Sequence, residues 1–219
     1  MAEASAGHAT IIQDWASDVT TFKGVPWGKA MMWIFLLSDT FIFSIFLTSY
    51  MTVRATTAEP WPNASEVFSL MAFGHSVPLL LIAIMTFDLI TSSGTMALAV
   101  NYGYRRDKRK AIFFICATAF FGAVFVGMQM FEWYKLISEG VRPWGNPWGA
   151  AQFGSCFFMI TGFHGLHVSA GVVYLLIIAY RLHKGVYDKT NFEIVEIVGL
   201  YWHFVDLVWV FIFAFFYLW

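Results

Sequence analysis

The sequence predicts an all-α protein, a polytopic transmembrane helix bundle of five spans. Three observations carry this. First, 59% of the 219 residues are hydrophobic and only 12% are charged, whereas a soluble domain carries about 25% charged residues. Such a chain has too little polar surface to cover itself in water, and its mean hydropathy of +0.65 agrees. Second, five runs reach the length of about 20 mostly apolar residues that a spanning helix needs. Third, clusters of strong helix breakers interrupt these runs.

In order, the runs are Ala30–Val53, Val77–Val100, Ala111–Leu136, Ala150–Tyr180 and Glu196–Trp219. The first follows Pro26-Trp27-Gly28. The apolar pattern also allows the second to start near Phe68. Glu59-Pro60-Trp61-Pro62-Asn63 parts the first two, and Arg142-Pro143-Trp144-Gly145-Asn146-Pro147 parts the third from the fourth. No linker divides the chain. Residues 1–27 read as an N-terminal cytoplasmic tail and residues 28–219 as one five-helix domain. The tail lacks a basic stretch followed by an apolar core, so no cleavable signal peptide is expected and the first span directs insertion.

Lys and Arg placement sets the orientation. Lys23, Lys29, Arg105, Arg106, Lys108, Arg109, Lys110, Arg181, Lys184 and Lys189 fall on the N-terminal side, which is ten of the 13 basic residues. Arg54, Lys135 and Arg142 fall on the other. The N-terminus is therefore expected in the cytoplasm and the C-terminus in the periplasm of a bacterial inner membrane. The Arg105–Lys110 run also has the composition of a nucleic-acid patch. In a chain this apolar it is read as a topology signal, and no nucleic-acid partner is expected. Cys116 and Cys156 lie in separate apolar runs without ligand spacing, and are read as small core residues.

Ionisable side chains inside the hydrocarbon cost about 2.5–3.5 kcal/mol even on a lenient scale, so each needs a reason. Asp39 lies in the first span, Asp88 in the second, Glu132 near the outer end of the third, His164 and His167 in the fourth, and His203 and Asp206 in the fifth. His75 sits near the start of the second. His164 and His167 share a helix face beside Gly162, Gly165 and Gly171, small residues that let another helix approach. His203 and Asp206 share another, flanked by Trp202 and Trp209. The bland reading of these stripes is hydrogen bonding to other helices or to lipid. Proton relay is the functional alternative. Redox-metal ligation is disfavoured, because HExxH and the Glu-x-x-His pairs of di-iron bundles are missing, and no metal site is expected. Asp39 reads either as a structural contact with another helix or subunit or as a carboxyl of unusual reactivity at a buried interface. Asp88 has more hydroxyl neighbours and is read as structural.

The motifs Thr161-Gly162-Phe163-His164-Gly165-Leu166-His167-Val168 and Tyr201-Trp202-His203-Phe204-Val205-Asp206-Leu207-Val208-Trp209 resemble signatures of subunit III of the haem–copper oxidases. Phe125–Trp133 resembles the segment before them. Trp33–Asp39 matches the first shared helix, where many members carry Glu in place of Asp39, one methylene longer. The resemblance covers about residues 28–219.

The resemblance implies a non-catalytic subunit of a proton-pumping terminal oxidase, with cytochrome c oxidase as the first expectation. Such a subunit binds no haem or copper; partner subunits carry both. It holds phospholipids in a V-shaped cleft, stabilises subunit I, and has subunit II and a small subunit IV as further partners. Seven helices are usual in mitochondrial members, so five mark a short bacterial form. Glu132, His164, His167, Trp202, His203, Asp206 and Trp209 are the candidates for a polar stripe lining the cleft. Asp39 is the candidate acid at a subunit interface, and Arg54 and Arg142 are candidates for headgroup phosphate contacts. Alternatives are subunit III of a quinol oxidase, an accessory subunit of a nitric oxide reductase, a small proton-coupled transporter using Asp39 and Asp88, and a free-standing membrane enzyme using the histidines.

Overall fold

A computed structural model describes residues 25–72, 75–187 and 192–218. The tail residues before 25, Lys23 among them, lie outside the described residues, as do Lys189, Trp219 and the side chain of His75. Five long helices dominate: α1 (Trp27–Thr56), α2 (Leu80–Tyr104), α3 (Lys108–Ser138), α4 (Gln152–His183) and α5 (Glu193–Phe216). All five are long and apolar enough to cross a membrane. Hydroxyl residues fit inside these helices by bonding their own backbone, as Thr40 Oγ1 does to the Leu36 carbonyl at 2.8 Å and Thr86 Oγ1 to that of Ile82 at 2.8 Å, so they carry no bare polar group into lipid.

The helix ends follow local chemistry. Pro26 precedes α1, where its missing N–H costs nothing, and its carbonyl accepts from the Lys29 and Ala30 amides. The second span begins later than the apolar pattern allows. A single helical turn at Ala64–Val67 leads into an antiparallel hairpin of β1 (Ser69–Ala72) and β2 (His75–Pro78), with Ser69 opposite Pro78. Pro78 blocks helix at the residue before it, and Leu79, at φ +57°, turns the chain into α2. Between α2 and α3 the turn passes through Arg106, also at φ +57°. Asp107 then caps α3 by accepting from the Lys110 amide at 3.2 Å. That hydrogen bond holds the Asp107 carboxyl below its ordinary range. Lys108, Arg109 and Lys110 form the first turn of α3, so the basic run straddles a helix start.

Helices α2, α3, α4 and α5 pack in a ring, each against the next, with α5 closing back on α2; α1 leans on the outside over α4 and α5. Burial follows: half of the α5 apolar window is buried, against 17% for α1. Trp33, Leu37, Phe41 and Ile45 of α1 point outward, each at least 56% exposed, as lipid or another protein requires rather than water. Cys116 also faces outward and Cys156 is half-buried. The core expectation fails for Cys116, because the surroundings of a membrane helix are as apolar as its core, whereas Cys156 packs in part against the core.

Trp202 locks the ring. Its indole lies between Gly122 of α3 and Gly171 of α4, where an added Cβ would meet the ring at 2.4 Å and 3.0 Å respectively. Its Nε1–H donates to Ser92 Oγ of α2 at 3.0 Å. One side chain thereby touches three helices. The two ends of the bundle are closed differently. At one end Lys29 of α1 pairs with Glu196 of α5. At the other, Tyr50, Trp61, Phe68, Phe153, Phe157, Phe216 and Tyr217 form a connected aromatic cluster, with Tyr50 stacked on Phe216 at 4.0 Å. There the loop at Gly149 crosses the Pro60 carbonyl so closely that a Cβ would come within 2.3 Å, and the Ala150 amide donates to that carbonyl at 3.2 Å.

Candidate functional site

The ionisable residues of the spans fall into three separate groups. The first joins α1 to α4. Asp39 is 4% exposed, and its Oδ2 lies 3.1 Å from His167 Nε2, an ion-pair distance rather than an aligned hydrogen bond. His167 Nδ1 lies 2.8 Å from the Phe163 carbonyl. A carbonyl only accepts, so Nδ1 carries the hydrogen. The imidazole thereby turns its Nε2 edge to the carboxyl, and the two polar groups face each other rather than acyl chains. Tyr201 of α5 fixes the same turn by donating to the His167 carbonyl at 2.9 Å. The sequence left Asp39 with only local hydroxyl neighbours; its partner lies on another helix.

The second group lies near the aromatic end. Glu132 is 3% exposed, and the Tyr217 hydroxyl stands 3.2 Å and 3.3 Å from its two oxygens. Lys135, one turn on, pairs with Glu139 at 3.6 Å and donates to the Ser69 carbonyl of β1. Tyr217 was not among the sequence candidates, because a tyrosine at a membrane-helix end reads as an interfacial anchor. The third group lies between α2 and α5, where Ser93 Oγ is 2.7 Å from His203 Nδ1 and Asp206 is 8% exposed.

His164 stands apart. It is fully buried, stacks on Trp209 at 5.4 Å, and meets Phe125 and Phe43 edge-on; neither ring nitrogen has a hydrogen-bond partner among the described residues. Trp209 donates instead to Thr86 Oγ1 at 3.1 Å. His164 and His167 are thus in different surroundings despite their i,i+3 spacing. His164 is walled by rings, and His167 is engaged at both nitrogens. Among the described residues no three His, Cys, Asp or Glu side chains come together in a way able to hold a metal ion.

The candidate stripe is therefore distributed. Glu132, His164, Trp202 and Trp209 lie in the bundle interior, His167 faces α1, and His203 and Asp206 face α2. The physical reason is the ring. Three neighbouring helices converge on α5, so residues one turn apart meet different partners. Asp39 and Asp88, the acids of the transporter alternative, lie in different seams. Two apolar grooves flank α1. One, of about 440 Å³, lies between α1 and α5 and includes Phe43, Leu47, Met51, Phe204 and Phe211. The other, of about 600 Å³, lies between α1 and α4 and includes Phe46, Tyr50, Cys156 and Met159. None of the seven stripe residues lines either groove. Arg54 lies near the aromatic end, with Nη1 3.5 Å from the Tyr50 hydroxyl. Arg142 is exposed at that end, its backbone paired with Gly145.

Five spans, a helical ring and buried ionisable pairs define a multi-pass membrane protein. A family model described as cytochrome c oxidase subunit III matches residues 8–219. A protein of Staphylococcus aureus (strain USA300) named probable quinol oxidase subunit 3 is 35% identical over 188 residues, covering 85% of this chain and 86% of that one. A protein of the same name from Staphylococcus epidermidis is 34% identical over 187 residues, with the same coverage. The chain belongs to the cytochrome c oxidase subunit III family.

Proposed function

We propose that this chain is a non-catalytic, lipid-holding subunit of a proton-pumping haem–copper terminal oxidase. It packs against subunit I and carries no redox centre of its own. Subunit II and a small subunit IV complete its partners. The observation that carries this is the family match over residues 8–219. The stance of α1 supports the lipid-holding part. Lying outside the ring, it leaves an apolar groove on each flank, of a size and chemistry that suit acyl chains. Arg54 and Arg142, with exposed Trp144 and Trp148, lie at the end where headgroup phosphates would sit.

We place the chain in a bacterial cell membrane, as the staphylococcal relatives support. Its N-terminus faces the cytoplasm, as the ten-to-three division of basic residues supports. The expected electron donor from the sequence is cytochrome c. A second reading, quinol as donor, is supported by the names of the two relatives.

The test is purification of the intact complex through a tag on this chain. Haem absorbance is expected in the complex and none in the chain after it is stripped from its partners. Oxygen consumption with a quinol, against that with reduced cytochrome c, decides the donor. A complex without haem, or stoichiometric haem or copper on the stripped chain, refutes the proposal.

A further inference from the structure

The turn between α2 and α3 gathers two cations onto one ring. Tyr102, near the end of α2, stacks on Phe114 of α3, with centroids 5.4 Å apart and planes 2° from parallel. The Arg105 guanidinium lies 5.9 Å from the centre of the Tyr102 ring, and the Lys110 ammonium lies 5.1 Å from it. Both head groups are open: Arg105 is exposed, and the Lys110 side chain is 59% exposed. Lys110 pairs with Asp107 at 3.3 Å, whereas no ion pair of Arg105 occurs among the described residues. The positive-inside rule accounts for cations at this end of the bundle, but a count of charges gives no reason for two of them to converge on one ring. Like charges so placed repel, and an aromatic face offsets this only weakly at an exposed site. An anion is attracted by both. Phe113 stands just inside this rim and is 66% exposed, and Phe120, two turns on along the same helix face, is 65% exposed. Apolar surface therefore begins beside the cations. This side of the ring faces away from α1 and its two grooves.

We propose that Arg105 and Lys110, gathered on Tyr102, bind the phosphate of an anionic phospholipid of the phosphatidylglycerol kind, whose acyl chains run along the outer face of α3 over Phe113 and Phe120. Arg105 meets phosphate through its planar fork and Lys110 as a point charge. A lipid suits the site better than a soluble phosphate compound, because the exposed rings continue from the cations toward the middle of the helix. The site requires only that the chain lies in a membrane, whatever its partners are.

The test uses the intact complex, purified through a tag on this chain, with a photoreactive residue in place of Phe113. It is reconstituted into phosphatidylcholine bilayers holding a minor share of phosphatidylglycerol. Ile34, 56% exposed and about two turns into α1, is the control position. Phosphatidylglycerol adducts are expected at Phe113 in excess of that lipid's share of the bilayer, and at Ile34 without excess. Arg105→Gln and Lys110→Gln should each lower the excess about fivefold, the worth of one cation beside an anionic leaflet. Arg109→Gln removes the same charge from the run but none from the ring, and should leave the excess within about twofold. Tyr102→Phe keeps the ring and the excess, whereas Tyr102→Leu lowers it. No excess at Phe113, or an equal one at Ile34, overturns the proposal. So do equal losses in the three charge variants, which mean diffuse attraction, and adducts to a partner subunit in place of lipid. An excess that inorganic phosphate abolishes at matched ionic strength also overturns it, since the site then takes a soluble anion. If Tyr102→Leu fails to accumulate in membranes, the charge variants decide alone.

Discussion

Asp39 of α1 and His167 of α4 meet through Oδ2 and Nε2, 3.1 Å apart and near the midpoints of their helices. The Phe163 carbonyl claims the other histidine nitrogen, so Nε2 is the nitrogen turned to the carboxyl. Removing one partner strands the other in a buried site, at a cost of about 3–5 kcal/mol. We predict that Asp39→Leu and His167→Leu each destabilise the protein by that order. The double variant should be less destabilised than the sum of the two, with a coupling of about 1–3 kcal/mol. Unfolding of the four proteins of this cycle in detergent measures it, and strict additivity would exclude an energetic contact between the two.

Gly122 is held to glycine by Trp202. An alanine there gains about 1 kcal/mol in helix propensity, but its Cβ would lie 2.4 Å from an indole that has no room to retreat. Overpacking of about 1–3 kcal/mol wins, so Gly122→Ala lowers the melting temperature. Gly94→Ala, with nothing within 4 Å of the new methyl, leaves it unchanged or raises it. Equal responses at the two sites would contradict the wedge.

Tyr217→Phe removes the hydroxyl beside Glu132 and leaves a fully enclosed carboxyl without its donor. A loss of about 1–3 kcal/mol is expected. In a Glu132→Met background the same substitution should cost almost nothing. A thermal melt of the double variant that falls as far as the single would show that Tyr217 acts through packing alone.

Gly149 combines a φ of +139° with the closest loop-to-loop approach at the aromatic end. Gly149→Ala must displace the Pro60 segment, and accelerated proteolysis of the loop between α1 and α2 is the readout. Gly145→Ala, in the same loop with open space around it, should leave the cleavage rate at the wild-type value.

Much of the fold was legible because lipid imposes simple rules on a chain. Five apolar runs had to become helices, and Pro26, Pro60, Pro62 and Pro147 had to lie outside them. The start of α2 was less legible. Apolar residues continue back to Phe68, and composition alone does not distinguish a hairpin there from helix until Pro78 and the positive φ of Leu79 are considered together. The candidate site was legible as residue types but not as groups. Periodicity paired His164 with His167 and His203 with Asp206. The structure pairs His167 with Asp39, His203 with Ser93 and Glu132 with Tyr217, and encloses His164 in aromatic rings.

By itself, then, the sequence determined that this chain spans a membrane five times and that seven ionisable side chains lie at membrane depth. Hydrophobic length and the cost of burying charge are properties of each segment taken alone. Only the tertiary structure decided which groups meet. That depends on α5 lying between α1, α2 and α4, an arrangement set by the fit of Trp202 against Gly122 and Gly171. Contacts between distant helices arise from side-chain volumes matching across the ring, and no local pattern along the chain encodes that match.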